Sequence, residues 1–337
     1  MTKYKLPRLV LSLSGTPPRI QLALESVFQL FPKTEEPADV LLEARAGNPD
    51  EIRGLLPDWL HARISAEDGE MEPVMVWGPQ AQPGAVGVHL GLPFCAWASP
   101  GGERIDLVCG IQQEGPTIGI IVPVLVPLLR EMFLSKGLFL FHSAAAICPN
   151  GVGLLLVAVS GGGKTTTALS LMRKGARLLG DDLVVIQSSE NGVTAFGIPK
   201  LLNLREETVD LFAELKQLPG SAFDHTGVLR KTLAPQKVYG PDCLQGQGQM
   251  HVLYFLHLST EGPCIRSLPL AEASQKLVLA QVFSRNQKIQ APSVLQVFEV
   301  LSRLRVYELC TGPDPRSLGD WLIRNSANHA GIGSPGD

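Results

Sequence analysis

Apolar and polar positions along the chain fall into two regimes. Up to about residue 115 the apolar runs are short, rich in Val, Ile and Leu, and divided by Gly/Pro clusters. LVLSLS reads as a strand, IQLALESVFQLF carries helical spacing, and VMVW, AVGVHL and RIDLVCGI read as further strands. This pattern predicts a smaller α+β domain over 1–115, followed by a connecting helix over 116–137 with Gly137 as its stop. From Leu138 strands and helices alternate. LFLFHSAAAI is predicted as one strand, Pro149, Asn150 and Gly151 as a turn, and VGLLLVAV as a strand buried on both faces. TTTALSLMRK has helical spacing with Gly175 where a helix stops, and ARLLGDDLVVIQ returns as a strand. VTAFGI, HVLYFLHL and CIRSLPL read as strands; EETVDLFAEL, LAEASQKLVLAQVF and PSVLQVFEVLSRL read as helices. The second domain is therefore expected over 138–305, with 306–325 a C-terminal extension. Residues 326–337, SANHAGIGSPGD, are small and polar and are expected to form a disordered tail.

Composition narrows the classes of function. A chain of 337 residues that is 45% hydrophobic can bury two cores of ordinary size. Its net charge of −3, with basic residues scattered along the chain, argues against a nucleic-acid partner. The six cysteines are far apart in sequence and form no CxxC pair, so spacing suggests neither a zinc site nor a redox dithiol. A reduced, cytoplasmic protein is the expectation. His61 and His89 are single histidines without partners at ligand spacing and read as structural. TIGIIVPVLVPLL, 117–129, is shorter than the roughly 20 residues of a spanning helix and holds two prolines, so no membrane partner is expected. The N-terminal MTKYKLPRLVLSLSG reads as a strand rather than a signal peptide.

The candidate chemistry is concentrated in AVSGGGKTTTALSLMRKGARLLGDD, 158–182. A phosphate chain binds where backbone N–H groups converge, and a glycine turn ahead of a helix supplies them. Ser160, Gly161, Gly162 and Gly163 form that turn, Ala158 and Val159 lead into it as part of the nucleotide-binding loop, Lys164 reaches toward β- and γ-phosphates, and Thr165 and Thr166 open the helix, with the Thr165 hydroxyl suited to Mg²⁺. This is a Walker A pattern in which Ala158 stands where the first glycine is usual; an extended backbone there tolerates alanine. The strand after the loop helix is expected parallel and close to the first, so LLGDD delivers Asp181 and Asp182 beside the phosphates. On an extended backbone the two carboxylates alternate, one toward the metal and nucleophile and one elsewhere. His142 precedes the loop strand and is either a strand-end histidine or a third member of the site. Arg230 and Lys231, in GVLRKTLAP, suit either phosphate neutralisation or a solvated loop.

His142 followed by SGGGKTTTALSLMRKGARLLGDD resembles the catalytic core of the HPr kinase/phosphorylase family, and resembles still more its shorter relatives found with peptide-modification systems. The resemblance covers 138 to about 190. It implies an α/β fold with a P-loop domain of the HPr kinase/phosphoenolpyruvate carboxykinase type, ATP and Mg²⁺ as cofactors, and a homo-oligomer. It also implies phosphoryl transfer to a serine of a peptide or protein. By the same resemblance Lys164 and Thr165 carry phosphates and Mg²⁺, Asp182 is the general base and His142 supports it; Asp181, the other member of the carboxylate pair, is expected on the metal side. FGIPKLLNLREE departs from the glutamate-bearing LExRGLG-like segment of that family, so HPr itself is not implied as acceptor. A non-catalytic ATP-binding regulator and a plain NTPase are the alternative readings.

Overall fold

The computed structural model describes residues 1–331 except 17, 29–30, 49–50, 53–70, 78–82, 90–91, 100–102, 111–127, 131, 134–135, 160, 199–200, 219–221, 224–228 and 282–290. His61 and most of the connecting segment 116–137 therefore lie outside the described residues, as does the side chain of His89. The fold is mixed α/β with several sheets. Its described residues divide into one compact unit within 1–137 and another within 138–281 and 291–331.

The first unit comprises β1 (Thr2–Leu6), β2 (Leu9–Thr16), α1 (Pro18–Phe28), β3 (Val40–Gly47), β4 (Met71–Trp77), β5 (Pro83–His89), β6 (Leu92–Ala98) and β7 (Arg104–Gly110). They form one sheet in the order β1-β2-β3-β7-β6-β5-β4, with β2, β3 and β7 mutually parallel. Leu11, Leu13, Ile20, Leu24, Leu42, Ile105 and Leu107 are fully buried, as alternating strand residues and an amphipathic helix require.

The second unit runs β8 (Leu138–Phe141), β9 (Ala144–Ile147), β10 (Gly153–Val157), α2 (Lys164–Met172), β11 (Arg177–Gly180), β12 (Val184–Ser189), β13 (Gly192–Gly197), β14 (Leu202–Arg205) and α3 (Glu206–Leu211). It continues with β15 (Ala222–Phe223), β16 (Leu229–Leu233), α4 (Gln236–Tyr239), β17 (Gln247–Met250), β18 (Val252–His257), β19 (Cys264–Ser267), α5 (Leu270–Gln281), α6 (Ala291–Ser302), β20 (Arg305–Cys310) and α7 (Pro315–Ala330). The main sheet has the order β11-β9-β10-β18-β20-β19, in which β10, β18 and β20 are parallel. A second, antiparallel sheet is ordered β17-β13-β12-β8, and a small third sheet β14-β16-β15.

The two larger sheets meet at glycines because a side chain there would enter the opposing backbone. A Cβ at Gly153 would lie 1.8 Å from the carbonyl oxygen of Gln249, and one at Gly197 2.2 Å from that of Leu179. The same device brings α7 onto α2: a Cβ at Gly319 would lie 2.2 Å from the Ser170 carbonyl oxygen. The Gly319 N–H instead donates to Ser170 Oγ at 2.8 Å.

Five expectations are corrected. LFLFHSAAAI is two strands in two sheets, β8 and β9, and the polar pair His142–Ser143 marks the crossing. ARLLGDDLVVIQ likewise divides into β11 and β12 at Asp181–Leu183. Both runs are apolar on both faces, so periodicity alone does not reveal the break. β11 does not adjoin β10: β9, antiparallel to both, lies between them because the Cys148–Val152 turn folds β9 back on β10. Finally, 306–325 is no appendage, since β20 lies inside the main sheet, and helix α7 runs through 326–330 where disorder was expected, while 332–337 of the expected tail lie outside the described residues. Tertiary contacts override composition there. Ser326 is fully buried and accepts from Asn150 Nδ2 at 2.9 Å, and the His329 ring packs among Tyr254, Tyr307 and Trp321.

Candidate functional site

The site forms where β10 ends, at the carboxyl edge of the parallel strands. Such edges gather ligands because the chain turns there into a helix whose first N–H groups have no intrahelical partner. Ser160 lies outside the described residues; the rest of the loop is defined. Ala158 is buried and Val159 exposed. Gly161 has φ 79° and Gly163 φ 90°, the left-handed region in which side chains are strained, and Gly163 caps α2 directly. Ala158 has no positive φ, consistent with the tolerance argued for alanine. Gly162 is required for a different reason: a Cβ there would lie 2.7 Å from the Ala158 methyl, while its N–H donates to the Val159 carbonyl at 3.0 Å.

Lys164, the first residue of α2, is only 6% exposed, and its Nζ donates to the Ala158 carbonyl at 2.7 Å. The ammonium therefore folds back across the base of the loop. Thr165 Oγ1 donates to Asp181 Oδ2 at 2.9 Å, and Asp181 is fully buried. Helix α2 and the end of β11 thus place a hydroxyl and a carboxylate side by side despite the strand that separates β11 from β10. Thr166 turns elsewhere, its hydroxyl lying 3.2 Å from that of Thr208.

Asp182 is not on an extended backbone, which corrects the alternation argument: its φ is 65°. A non-glycine residue in this region is uncommon, with aspartate among the better tolerated. The conformation lets the chain leave one sheet and enter the other. His142 stands at the partner crossing. The β8–β12 ladder ends at Phe141↔Val184 and the β9–β11 ladder at Ala145↔Gly180, so the stretch beginning at His142 runs alongside Asp181–Leu183. Both His142 and Asp182 are half-buried.

Sequence reasoning missed Arg205. Its guanidinium lies 3.7 Å from the position a Cβ would take at Gly161, beside the loop, at the junction of β14 and α3. Arg230 is directly opposite Arg205 in the β14–β16 ladder, so one half of the expected basic cluster joins this arginine; Lys231 pairs with Leu204 in the same ladder. No local motif announces Arg205, because its approach depends on a small separate sheet. Leu258, just after β18, also reaches the loop, 3.2 Å from the Cβ position of Gly163.

Among the described residues no group of three or more His, Cys, Asp or Glu side chains is disposed to hold a metal. One carboxylate with one hydroxyl fits Mg²⁺, which takes few protein ligands and completes its shell with water and substrate phosphates. No described helix is long and apolar enough to cross a membrane.

No family model matches the chain. A 52-residue segment, 15% of the chain, is 44% identical to the HPr kinase/phosphorylase of Geobacillus sp. (strain WCH70) and covers 17% of that protein. Over 52 residues and the same shares the chain is 42% identical to the HPr kinase/phosphorylase of Bacillus pumilus (strain SAFR-032). The match thus spans about a sixth of the length of these curated relatives. Among solved structures, the HPr(Ser) kinase/phosphatase of Coxiella burnetii aligns over 56% of this chain and 89% of its own, at 14% identity and a TM-score of 0.32. The chain is HPr-kinase-like in the matched segment.

Proposed function

We propose that this HPr-kinase-like chain is an ATP-dependent kinase that transfers a phosphoryl group to the hydroxyl of a serine on a peptide or protein. The observation that carries the reading is the joint geometry of the loop: left-handed glycines at Gly161 and Gly163, Lys164 folded onto its base, and Thr165 hydrogen-bonded to buried Asp181. Phosphoryl transfer asks a protein chiefly for positioning and for stabilisation of charge, and these groups provide both. The loop N–H groups and Lys164 hold the triphosphate of ATP, with Lys164 exchanging the Ala158 carbonyl for phosphate oxygen. Thr165 and Asp181 would hold Mg²⁺, which supplies positive charge against the phosphate oxygens when bound. Arg205, beside Gly161, adds a guanidinium to the same region. Asp182 accepts the proton of the serine hydroxyl as its oxygen attacks in line, and His142, at the neighbouring crossing, orients that carboxylate.

The test is incubation of the full chain with ATP, Mg²⁺ and serine-containing peptides or a phosphocarrier protein, followed by mass spectrometry. The expected product carries one added phosphoryl group, and Asp182→Asn lowers the yield by a factor of about 10² or more. Equal yield from wild type and Asp182→Asn removes Asp182 from its role. Phosphate release that proceeds undiminished without an acceptor makes the protein an NTPase, and tight ATP binding with no turnover makes it a regulator.

A further inference from the structure

Cys264 and Cys310, 46 positions apart in sequence, are directly opposed partners on the antiparallel strands β19 and β20. We propose that they form a reversible dithiol/disulfide pair, a modification site at the edge of the main sheet. Opposed residues on an antiparallel ladder have Cα atoms about 4.5–5.5 Å apart, within the roughly 4.4–6.8 Å that a disulfide spans. Opposed side chains also share a face of the sheet, and on this ladder they do meet. Two positions along, Arg266 and Glu308 are partners in the same register and hydrogen-bond at 2.9 Å and 3.2 Å. Cys264 and Cys310 lie on that face.

Access separates this pair from the other cysteines. Cys264 is exposed and Cys310 half-buried, whereas Cys95, Cys109, Cys148 and Cys243 are buried. The Cys310 thiol is pushed up to about 11, first by its hydrogen bond to Cys264 and then by burial, with the Glu308 and Glu261 carboxylates adding to the effect. Cys310 therefore stays protonated at neutral pH beside its partner's sulfur, which makes it the second thiol to react. Hydrogen peroxide is the oxidant. The exposed Cys264 sulfur attacks one peroxide oxygen, the O–O bond breaks, and Cys264 becomes a sulfenic acid as its thiol proton leaves with the departing hydroxide as water. Cys310 then attacks that sulfur, the S–S bond forms, and the S–O bond breaks as the hydroxyl leaves with the Cys310 proton as a second water. Two thiols thus lose two electrons and two protons, and the peroxide is reduced to two waters. An exposed disulfide is the readily reduced kind, so the step reverses with thiols.

The pair also lies in one row with His257, which is the β18 partner of Cys310. Leu258, the next residue, is the one that reaches Gly163. At about 4.8 Å per strand, the oxidisable pair stands on the same edge as the glycine loop and only two to three strands away.

The full chain is treated with hydrogen peroxide, alkylated, and mapped without reduction. The expected result is a peptide pair joining Cys264 to Cys310 within one chain. Thiols accessible in the native protein fall from two to none and return with dithiothreitol. Cys310→Ser should accumulate a Cys264 sulfenic acid that dimedone traps, at least several-fold more than wild type. Cys264 and Cys310 recovered as separate sulfinic or sulfonic acids, or a link only between two chains, overturns the proposal. Equal dimedone trapping in wild type and Cys310→Ser overturns it as well.

Discussion

Gly162→Ala offers the most specific test of the loop geometry. Gly162 has no positive φ, so alanine meets no backbone strain there and the penalty is purely one of contact. The added methyl would lie 2.7 Å from the Ala158 Cβ and 3.1 Å from the Val159 carbonyl oxygen. Carbon atoms settle at about 3.5–4.0 Å, so strand end and loop must part by the better part of an ångström. Overpacking of this kind costs about 1–3 kcal/mol. If the loop reaches its binding shape only against that strain, nucleotide affinity falls about 5- to 150-fold. The variant Ala158→Gly/Gly162→Ala removes the closer of the two contacts and should regain at least half of the loss, even though glycine at a strand end costs about 0.5–1 kcal/mol by itself. The assay is a double-mutant cycle over wild type, both single variants and the double variant. Affinity for a non-hydrolysable ATP analogue is measured by calorimetry, and folding stability by urea titration. A coupling of about 1 kcal/mol or more is expected; additivity within roughly 0.5 kcal/mol would falsify the claim that residues 158 and 162 touch.

Thr165→Val removes the donor that Asp181 Oδ2 receives at 2.9 Å. Because Asp181 is buried, stability should fall by about 1–3 kcal/mol in urea melts; a loss below a few tenths would mean the bond is not formed in solution. Gly319→Ala drives a methyl into the Ser170 carbonyl at the α7–α2 contact. About 1–3 kcal/mol of overpacking should lower the melting temperature of the second unit by several degrees, and an unchanged melt would show that the two helices stand further apart. His251 accepts from the Gly153 N–H at 2.9 Å through Nδ1, which requires the neutral ring, and burial lowers its pKa; burial lowers that of His329 too. Both histidines bind protons more readily unfolded than folded, so their contribution is intact above the ordinary histidine pKa of about 6.5 and is lost as pH falls below it. Urea midpoints at pH 7.5 and 5.5 should show the drop, and His251→Gln should shrink it; a midpoint that rises on acidification contradicts the sign.

The glycine loop was legible because its chemistry is local: a strand, a turn of glycines, a lysine and a threonine follow one another, and the structure puts Lys164 and Thr165 at the start of a helix as their spacing implies. What the sequence hid is nonlocal. The breaks at His142–Ser143 and Asp181–Leu183 fall inside runs buried on both faces, where periodicity carries no information about a change of sheet. Arg205 reaches the loop from a small third sheet, and Cys264 meets Cys310 through a strand pairing that no spacing rule anticipates. Residues 326–330 look like a tail by composition, yet Ser326 and His329 are held by partners far back in the chain, Asn150 and Tyr254.

The position of β20 bears on how the molecule is made. That strand lies between β18 and β19, and the helix after it rests against the one that follows the glycine loop, so residues 305–330 supply an interior strand and an outer brace together. During synthesis β1 to β7 of the first unit are all available early, whereas the main sheet of the second waits with a gap until residues 305–310 leave the ribosome. A nascent chain paused before residue 305 would leave one border of β18 unpaired and β19 without its ladder partner, and would be the form that chaperones must guard.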